Sequence, residues 1–427
     1  MQRTYLKDLK ENIGKEVTVM GWVDVRRDQG KLIFLDLRDV TGKAQGVVLP
    51  KAESAHEVAE KVRPEWVVEI RGNVNPRPEK NVQADKLNGE LELEILDIKI
   101  LNEAETPAFA IDTDGKEIGE ESRLSHRALD LRRERMQTNI KKRSEVMQFV
   151  RKFYTNENFS EIETPNLTKS TPEGARDYVV PSRLYPGSFY ALPQSPQQYK
   201  QLLMTAGFEK YFQIARCFRD EDTRGDRQPE FTQIDTEMSF VDQEEVMRIN
   251  EEMIIEMVKE IYPEKRIQEI PFPRISYAEA IEKYGNDRPD IREDKEDPNL
   301  LAFCWVVDFP FFKKVDKADA AEVRDSKSGW TFTHNPFSTP QDEYLADHMA
   351  GENLDNILTA QYDLVCNGYE VGGGSIRAHD PAVLRQTFSI MGYSDEEIEA
   401  SIGHMLEAFA LGTPPHGSIA LGLDRLV

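Results

Sequence analysis

The sequence is poor in cysteine. Its 427 residues include three cysteines, Cys217, Cys304 and Cys366, and no two of them form a C-x-x-C pair. An odd number of isolated cysteines argues against a disulfide framework or a zinc ribbon. We therefore expect the chain to work in a reducing compartment, the cytoplasm.

Long apolar runs are also missing. No segment approaches the roughly 18 apolar residues of a membrane span, and the opening residues, MQRTYLKDLK, lack the apolar core of a signal peptide. We expect neither a membrane anchor nor a targeting signal.

The familiar nucleotide-binding and nucleophile motifs are absent. The sequence has no G-x-x-x-x-G-K-[ST] and no strand-borne G-x-G-x-x-G, so any nucleotide site is of another type. It also has no recognisable Ser-His-Asp or Cys-His arrangement.

Positive charge is in deficit. The chain has 54 Lys and Arg against 77 Asp and Glu, a formal net charge of -23. The summed field repels a polyanion, so a nucleic-acid partner would have to be met by local basic patches. The length predicts two or three domains.

Short runs of alternating hydrophobicity occupy residues 1 to about 105 and predict a small barrel of the OB type. In KLIFLDLRD, the residues Ile33, Leu35 and Leu37 share one face, and Phe34 lies on the other, where we expect it to be exposed. An exposed aromatic suits the stacking of an unpaired base, and cover by a loop is the alternative. The nearby basic residues are Arg26, Arg27, Lys31, Arg77 and Lys80.

A hinge and a long helix are predicted next. Residues 102 to about 121 are rich in acids, Thr, Gly and Pro, as a domain boundary often is. The helix that follows has an apolar face made by Ile140, Met147, Val150 and Tyr154. We interpret its basic run as a solvated face rather than a phosphate contact; the run comprises Arg132, Arg133, Arg135, Lys141, Lys142 and Arg143.

The segment FRDEDTRGDRQPEFTQIDTEMSF, residues 218–240, concentrates charge between two strand-like runs. We predict an antiparallel hairpin in which EKYFQIARCF pairs with EFTQIDTEMSF across a charged loop. The loop arginines suit a phosphate, because a planar guanidinium can make bidentate bonds to its oxygens. The acids of the returning strand suit an amine or a metal, and mutual salt bridges are the alternative.

Three further segments place polar side chains beside glycines or on a helix. In EVGGGSIRAH, Gly372–Gly374 precede Arg377 and fit either close approach of a ligand or a bulge. In GSIALGLDRLV, a glycine-rich turn precedes Arg425. In ALPQSPQQYKQLLM, we expect Ser195 to cap a helix that carries Gln197 and Lys200 on one face.

The ETPNL segment with Pro165, the charged hairpin and the terminal GLDR resemble, in this order, the three motifs of class II aminoacyl-tRNA synthetases of the bacterial aspartate type. The resemblance runs from the N-terminal barrel to the last residue. It implies an α+β fold, with an OB-type anticodon-binding barrel at 1–105, a hinge at 106–135 and a catalytic domain at 136–427. The catalytic domain would hold a six-stranded antiparallel sheet flanked by helices and form a homodimer through the Pro165 segment.

The resemblance also implies a function. The family uses ATP and Mg²⁺ to activate L-aspartate as an adenylate, and it transfers the aspartyl group to the 3′ end of tRNA(Asp), in some members also to tRNA(Asn). Both steps are in-line displacements that need no protein nucleophile.

Site residues are implied one by one. Arg219 would hold the ATP α-phosphate, Glu221 the adenine amino group and Arg425 the γ-phosphate, with Phe231 stacked on the adenine and Gln228 and Gly422 beside the nucleotide. Asp363 and Glu370 would bind Mg²⁺. Glu173, Gln197 and Asp235 would surround the aspartate ammonium, Lys200 and Arg377 would hold its side-chain carboxylate, and His334 would close the pocket. The anticodon would be read by Phe34, Gln45, Arg77, Asn81 and Glu92.

The chain departs from the family pattern in three places. A short linker at 286–299 stands where relatives carry a large inserted domain, and Asn335 replaces the second of two histidines. The sequence also stops two residues after Arg425, so we expect a truncated chain with a mobile Arg425 and weak activity.

Two alternatives stay open. One is a tRNA- or nucleotide-binding paralogue with weak or no ligase activity. The other is an enzyme for asparagine, which the cations Lys200 and Arg377 disfavour, because a neutral amide would leave them unpaired.

Overall fold

The computed structural model describes residues 2–171, 173–222, 225–317 and 326–427. The chain forms two compact units, Met1–Gln137 and Thr138–Val427. The finer division into barrel, hinge and catalytic domain stays a prediction. No helix in the described ranges is both long enough and apolar enough to cross a membrane.

The first unit contains a closed five-stranded barrel, as predicted. Its strands are β1 (Glu16–Asp28), β2 (Ile33–Asp39), β3 (Gly42–Val48), β4 (Val67–Pro76) and β5 (Leu91–Asn102). The order around the barrel is β1-β2-β3-β5-β4. The remaining elements are the 3₁₀ turns Leu6–Asn12 and Glu79–Asn81 and the helices α1 (Glu53–Lys61), α2 (Glu120–Ser125) and α3 (Arg127–Asp130).

Period-two alternation explains the barrel core. Ile33, Leu35 and Leu37 are buried in it, because successive side chains of a strand point to opposite faces. Phe34 lies on the outer face as predicted, but it is half-buried rather than fully exposed.

The basic run after the barrel is not a uniformly solvated helix face. Arg133 is fully buried and pairs with buried Asp130 at 2.9 Å, and Arg132 pairs with Glu65 at 2.8 Å. Gly115, at φ +77°, faces Arg133, and a Cβ there would lie 2.6 Å from Nε. Arg132 and Arg133 are thus paired with acids of the chain itself and hold the fold together.

The second unit contains a mixed eight-stranded sheet. Its strands are β6 (Ser160–Glu161), β9 (Lys210–Phe218), β10 (Glu230–Ser239), β12 (Arg274–Ser276), β14 (Phe303–Val307), β17 (Gln361–Cys366), β18 (Tyr369–Ile376) and β19 (His416–Gly422). Their order across the sheet is β12-β14-β17-β18-β19-β10-β9-β6. The six central strands are antiparallel, as predicted. The predicted six-stranded sheet did not include the short edge strands β6 and β12, which pair in parallel.

Helices and minor strands complete the unit. The helices are α4 (Glu134–Asn156), α5 (Gln197–Thr205), α6 (Gln243–Ile261), α7 (Tyr277–Tyr284), α8 (Leu345–Ala350), α9 (Pro381–Ile390), α10 (Asp395–Phe409) and α11 (Leu423–Leu426). The 3₁₀ turns are Asp342–Tyr344 and Leu354–Asn356. The minor two-stranded sheets pair β7 (Val179–Pro181) with β8 (Phe189–Ala191), β11 (Arg266–Ile267) with β13 (Leu300–Leu301), and β15 (Phe312–Lys314) with β16 (Trp330–Phe332).

Helices α4 and α6 pack against one face of the sheet. Val150 and Tyr154 of α4 lie in this core, as predicted, together with Phe149 and Phe153. Ile140 is 55% exposed, so its predicted place on the buried face was wrong.

Strand β10 divides its side chains between two environments. Ile234 and Met238 enter the core under α4 and α6. Phe231, Asp235 and Glu237 alternate with them and therefore lie on the opposite face. That second face carries the candidate site.

Candidate functional site

Four buried charges lie together on the second face of the sheet. Lys200 Nζ on α5 donates to Asp235 Oδ1 at 2.6 Å and lies 3.6 Å from Glu237 Oε2. Arg377 Nε, after β18, lies 3.8 Å from Glu237 Oε1. Burial raises the pKa of both carboxyls, and Lys200 counteracts the effect. The structure thus brings together three predicted residues and adds Glu237, an acid of the returning strand that the sequence analysis did not assign to the site.

Glu237 could have been found from its position. It stands two residues after Asp235 on a strand, and residues i and i+2 share one face. Within the described ranges, both of its carboxylate oxygens lack a hydrogen-bond partner. Two buried cations, Lys200 and Arg377, need buried acids to neutralise them, and Glu237 lies between the two.

Arg377 is held by neighbours on the sheet. Its Nη1 donates to Ser375 Oγ at 2.7 Å and its Nη2 donates to Ser418 Oγ. Because its guanidinium is 3% exposed and fixed by three partners, its position is set before any ligand arrives.

Glu173 and Gln197 adjoin the charged cluster. Glu173 accepts hydrogen bonds from Thr171 Oγ1 at 2.9 Å and from Ser195 Oγ. Burial raises the pKa of Glu173, while Arg219 and Lys200 lower it. Gln197 is buried at the start of α5.

The predicted cap of α5 needs correction. The N-cap residue is Pro196, which has no side-chain donor or acceptor. Ser195 is one residue earlier, and its Oγ accepts from Gln197 N at 3.3 Å while donating to Glu173.

The charged loop and the last helix form a second cluster. The Arg219 guanidinium lies 5.1 Å from the centre of the Phe231 ring across the β9–β10 hairpin. Arg425 on α11 makes a bidentate pair with Asp226 at 2.7 and 3.0 Å and also donates to the Glu370 carbonyl. An arginine, an aromatic face and a second arginine are groups that hold a nucleotide.

The other predicted nucleotide residues lie in the hairpin loop or at the start of α11. Glu221 pairs with Arg227 at 3.5 Å, and Gln228 is exposed in the loop. Gly422 is the N-cap of α11. These pairings agree in part with the alternative of mutual salt bridges on the hairpin.

Two carboxylates converge over Gly373. A Cβ at Gly373 would lie 2.5 Å from Asp363 Oδ1 and 3.9 Å from Glu370 Oε1. Burial, Glu370 and Asp287 raise the pKa of Asp363 well above its ordinary range. No cluster of three His, Cys, Asp or Glu side chains with metal-ligand geometry occurs in the described ranges.

The triple glycine serves strand packing. A Cβ at Gly372 would lie 2.5 Å from Ala420 O, and one at Gly374 would lie 1.8 Å from Ser418 O. A bulge also interrupts the pairing of β18 with β17 just before the glycines. The predicted bulge is therefore present, and the partner that approaches the glycines closely is the β19 backbone.

His334 lies against Phe309, with ring centres 4.6 Å apart. Burial lowers its pKa, and Glu370 and Asp287 raise it, so its charged neighbours include a member of the acidic pair. Its closing of an amino-acid pocket stays a prediction.

The predicted anticodon residues lie on or next to neighbouring strands of the barrel. Phe34 and Gln45 lie on the paired strands β2 and β3, and Glu92 lies on β5, which pairs with β3. Arg77 Nε donates to Leu91 O at 2.7 Å, and Asn81 is exposed in the 3₁₀ turn after β4. Their role in reading bases stays a prediction.

Two family models match the chain. Residues 119–427 match the class II tRNA synthetases for D, K and N, and residues 17–101 match an OB-fold nucleic-acid binding domain. Among curated relatives, the Aspartate--tRNA(Asp/Asn) ligase of Corynebacterium aurimucosum is 39% identical over 100% of this chain and 90% of its own length. The Aspartate--tRNA ligase of Staphylococcus aureus is 36% identical over 97% of this chain and 90% of its own length.

Solved structures share the fold at low identity. The asparaginyl-tRNA synthetase of Pyrococcus horikoshii aligns with a TM-score of 0.77 at 22% identity, covering 100% of this chain and 94% of that one. The aspartyl tRNA synthetase of Entamoeba histolytica aligns with a TM-score of 0.74 at 22% identity, covering 100% and 88%. The alignment to the Corynebacterium relative spans 551 positions against 427 residues here, so that relative carries residues that this chain lacks.

Proposed function

Because the chain belongs to the class II aminoacyl-tRNA synthetases, in the group for aspartate, lysine and asparagine, we propose that it joins L-aspartate to tRNA(Asp) by an ATP-dependent reaction. The chain is therefore a ligase. The observation that carries the choice of aspartate is the pair of buried cations, Lys200 and Arg377, around Glu237.

The two fixed, buried cations of this cluster favour an acidic substrate. Asp235 and Glu237 balance the two cations in the structure. An aspartate side chain would share Lys200 and Arg377 with these acids, and its ammonium would face Asp235, Gln197 and Glu173. A neutral amide cannot replace a carboxylate beside two desolvated cations without a cost of several kcal/mol.

ATP would bind along the hairpin and the last helix. The adenine would stack on Phe231, with Arg219 reaching the α-phosphate and Glu221, Gln228 and Gly422 lining the rim. Arg425 would have to exchange its bidentate partner Asp226 for the γ-phosphate. The match between guanidinium and phosphate geometry supports this exchange.

Asp363 and Glu370 fit a magnesium ion. Carboxylate oxygens are the ligands that Mg²⁺ prefers, and the two acids converge where only glycine at position 373 leaves room. The ion, when bound, would neutralise charge on the phosphates.

The proposed reaction has two steps, an in-line displacement at phosphorus and an acyl transfer. The aspartate carboxylate attacks the α-phosphate and pyrophosphate leaves; the terminal ribose hydroxyl of the tRNA then attacks the adenylate and AMP leaves. In this scheme, Arg219 stabilises negative charge on the oxygens of the α-phosphate, and the α5 and β10 side chains hold the amino acid in line.

The test is aspartate-dependent exchange between pyrophosphate and ATP. The purified chain should catalyse exchange with L-aspartate and fail to do so with L-asparagine. Equal exchange with both amino acids, or preference for asparagine, would contradict the assignment. No exchange with either would favour a binding paralogue.

The barrel would contact the anticodon, with Phe34 stacking on a base and Gln45, Arg77, Asn81 and Glu92 forming hydrogen bonds. The matched OB-fold domain supports a nucleic-acid role for this unit. The printed names of the relatives include both tRNA(Asp/Asn) and tRNA ligases without that qualifier. Charging of purified tRNA(Asn) in parallel with tRNA(Asp) decides which type this chain is.

We keep the cytoplasm as the proposed location.

A homodimer is proposed through the Pro165 segment. Several apolar side chains of the second unit are exposed, and burying them in an interface would be favourable; they include Ile140, Leu167, Val179, Leu184, Tyr185 and Phe189. Light scattering should give twice the chain mass, and Leu167→Asp should give one chain mass if this segment forms the interface. A wild-type monomer at micromolar concentration would contradict the proposal.

A further inference from the structure

A chain of three buried polar side chains runs away from the site through α5. Gln197 Nε2 donates to Gln201 Oε1 at 2.9 Å, and Gln201 Nε2 lies 3.2 Å from His416 Nε2. His416 Nδ1 lies 2.8 Å from Pro414 O. Gln197, Gln201 and His416 are 3%, 0% and 0% exposed.

The far end of this chain sets the proton positions. A carbonyl oxygen only accepts, so the contact with Pro414 O requires the hydrogen of His416 to be on Nδ1. Burial lowers the pKa of His416 to about 3, so the ring is neutral at working pH. Its Nε2 is therefore an acceptor, and the neighbouring Gln201 atom must be the amide nitrogen.

The same logic continues along α5. With its nitrogen toward His416, Gln201 turns its carbonyl oxygen toward Gln197, which must then donate through Nε2. The Gln197 oxygen is left as an acceptor that no hydrogen bond in the described ranges uses. An acceptor is the group that an ammonium needs, whereas the opposite amide orientation would present two N–H donors to a cation.

We propose that His416 is a positioning residue for amino-acid binding: through Gln201 it orients the Gln197 amide so that its oxygen accepts from the substrate ammonium. The inference rests on the proposed function, because it takes Gln197 to be an ammonium ligand. In this scheme His416 itself does not contact the substrate.

The first test compares kinetic constants in pyrophosphate exchange. His416→Phe keeps an aromatic ring beside Phe409, 6.1 Å away, but removes the acceptor. The KM for aspartate should rise about 10-fold or more, as expected for a lost hydrogen bond to a charged group, while the KM for ATP stays within twofold. His416→Gln restores an acceptor and should recover part of the loss.

A matched control exists elsewhere in the second unit. His348 is also fully buried and packs against aromatic rings, and its Nε2 lies 3.0 Å from Thr387 Oγ1, outside the chain of three. His348→Phe should leave the KM for aspartate unchanged. A rise equal to that of His416→Phe would mean that any buried histidine matters, and the proposal would be wrong.

A double-mutant cycle separates orientation from general stability. If His416 acts only through Gln197, then adding His416→Phe to Gln197→Met should cost nothing further in KM for aspartate. Additive losses, a parallel rise in KM for ATP, or no change in His416→Phe would each overturn the positioning role. If His416→Phe does not fold, Gln201→Met breaks the same chain and takes its place.

The outcomes also separate the two proposals. If the wild-type chain shows no aspartate-dependent exchange, the proposed function is wrong, and the positioning role with it. If the wild-type chain exchanges normally and the His416 variants have the same KM for aspartate, the positioning role alone is wrong.

Discussion

At the scale of single residues, the cations Lys200, Arg377 and Arg425 of the site are each paired with an acid. Lys200 is paired with Asp235, and Arg377 with Glu237, before any ligand is present. Arg425 is likewise paired with Asp226. Pre-paired cations are held in place, so a ligand that matches their charge meets fixed partners and pays little for ordering them.

Arg377→Leu should remove the preference for aspartate over asparagine. Removing one partner of a buried charge pair typically costs about 2 to 5 kcal/mol, and here the loss falls on the substrate carboxylate and on Glu237. Pyrophosphate exchange with each amino acid measures the effect, and the KM for ATP should change little. Arg385→Leu, which removes a partly exposed arginine paired with Glu399, is the control and should keep the preference. An Arg377→Leu enzyme that still selects aspartate at full efficiency would refute the role.

Phe34→Ala should weaken tRNA binding by about 1 to 3 kcal/mol, the usual contribution of one stacked base. Adenylate formation should be unchanged, because Phe34 lies in the barrel unit. Binding is measured by titration with tRNA(Asp). Leu35→Ala, which empties the barrel core next to it, is the contrast and should lower the melting temperature. If Phe34→Ala lowers melting as Leu35→Ala does, the ring is a structural cover.

At the scale of elements, strand β18 shows how backbone spacing sets the sequence. Its three glycines lie between β17 and β19, and side chains there would collide with the neighbouring strand or with Asp363. Their φ values are not in the left-handed region, so flexibility is not the reason for glycine. The reason is close approach of the backbone.

Gly374→Ala should destabilise the second unit by about 1 to 3 kcal/mol or more, the usual range for overpacking. The added methyl would lie 1.8 Å from Ser418 O, so β18 and β19 must separate. Thermal unfolding measures the change. Gly119→Ala, in the first unit, is the control for adding a methyl group without a collision, since no atom lies within 4 Å of its added Cβ. A melting temperature equal to that of the control would contradict the packing argument.

At the scale of the whole molecule, buried histidines make stability depend on pH. His348 packs between Phe311 and α9, and its Nδ1 has no hydrogen-bond partner in the described ranges. Burial lowers its pKa from 6.5 to about 4. A histidine that must stay neutral in the folded state opposes folding in acid.

The free energy of unfolding should fall as pH is lowered from 6.5 to about 4, by about 3 kcal/mol from His348 alone. In this window the unfolded chain binds the proton and the folded chain does not; below it both do, and the contribution is constant. Urea unfolding at several pH values measures the slope. His348→Phe should reduce it, whereas Thr387→Val removes the same hydrogen bond without a titrating group and should keep it. An unchanged slope in His348→Phe would rule out this source.

Local pattern was enough to predict much of the architecture. The alternation in KLIFLDLRD predicted the barrel strand with Leu35 inside and Phe34 outside, and the β9–β10 hairpin was predicted from strand runs around a charged loop. The stripe on α4 was predicted less well: Ile140 keeps the helical spacing but lies beyond the part of the helix that the sheet covers.

The sequence by itself determined the barrel type, the hairpin, the antiparallel centre of the sheet and the family, because these depend on neighbours along the chain and on the order of motifs. Only the tertiary structure decided the partners of the charges. Arg425 is 199 residues from Asp226, and His416 is 215 residues from Gln201. Such pairs form when the packing of the sheet brings distant segments within about 3 Å, the length of a hydrogen bond. No local pattern records that distance, so the buried chain from His416 to Gln197 was visible only in the folded molecule.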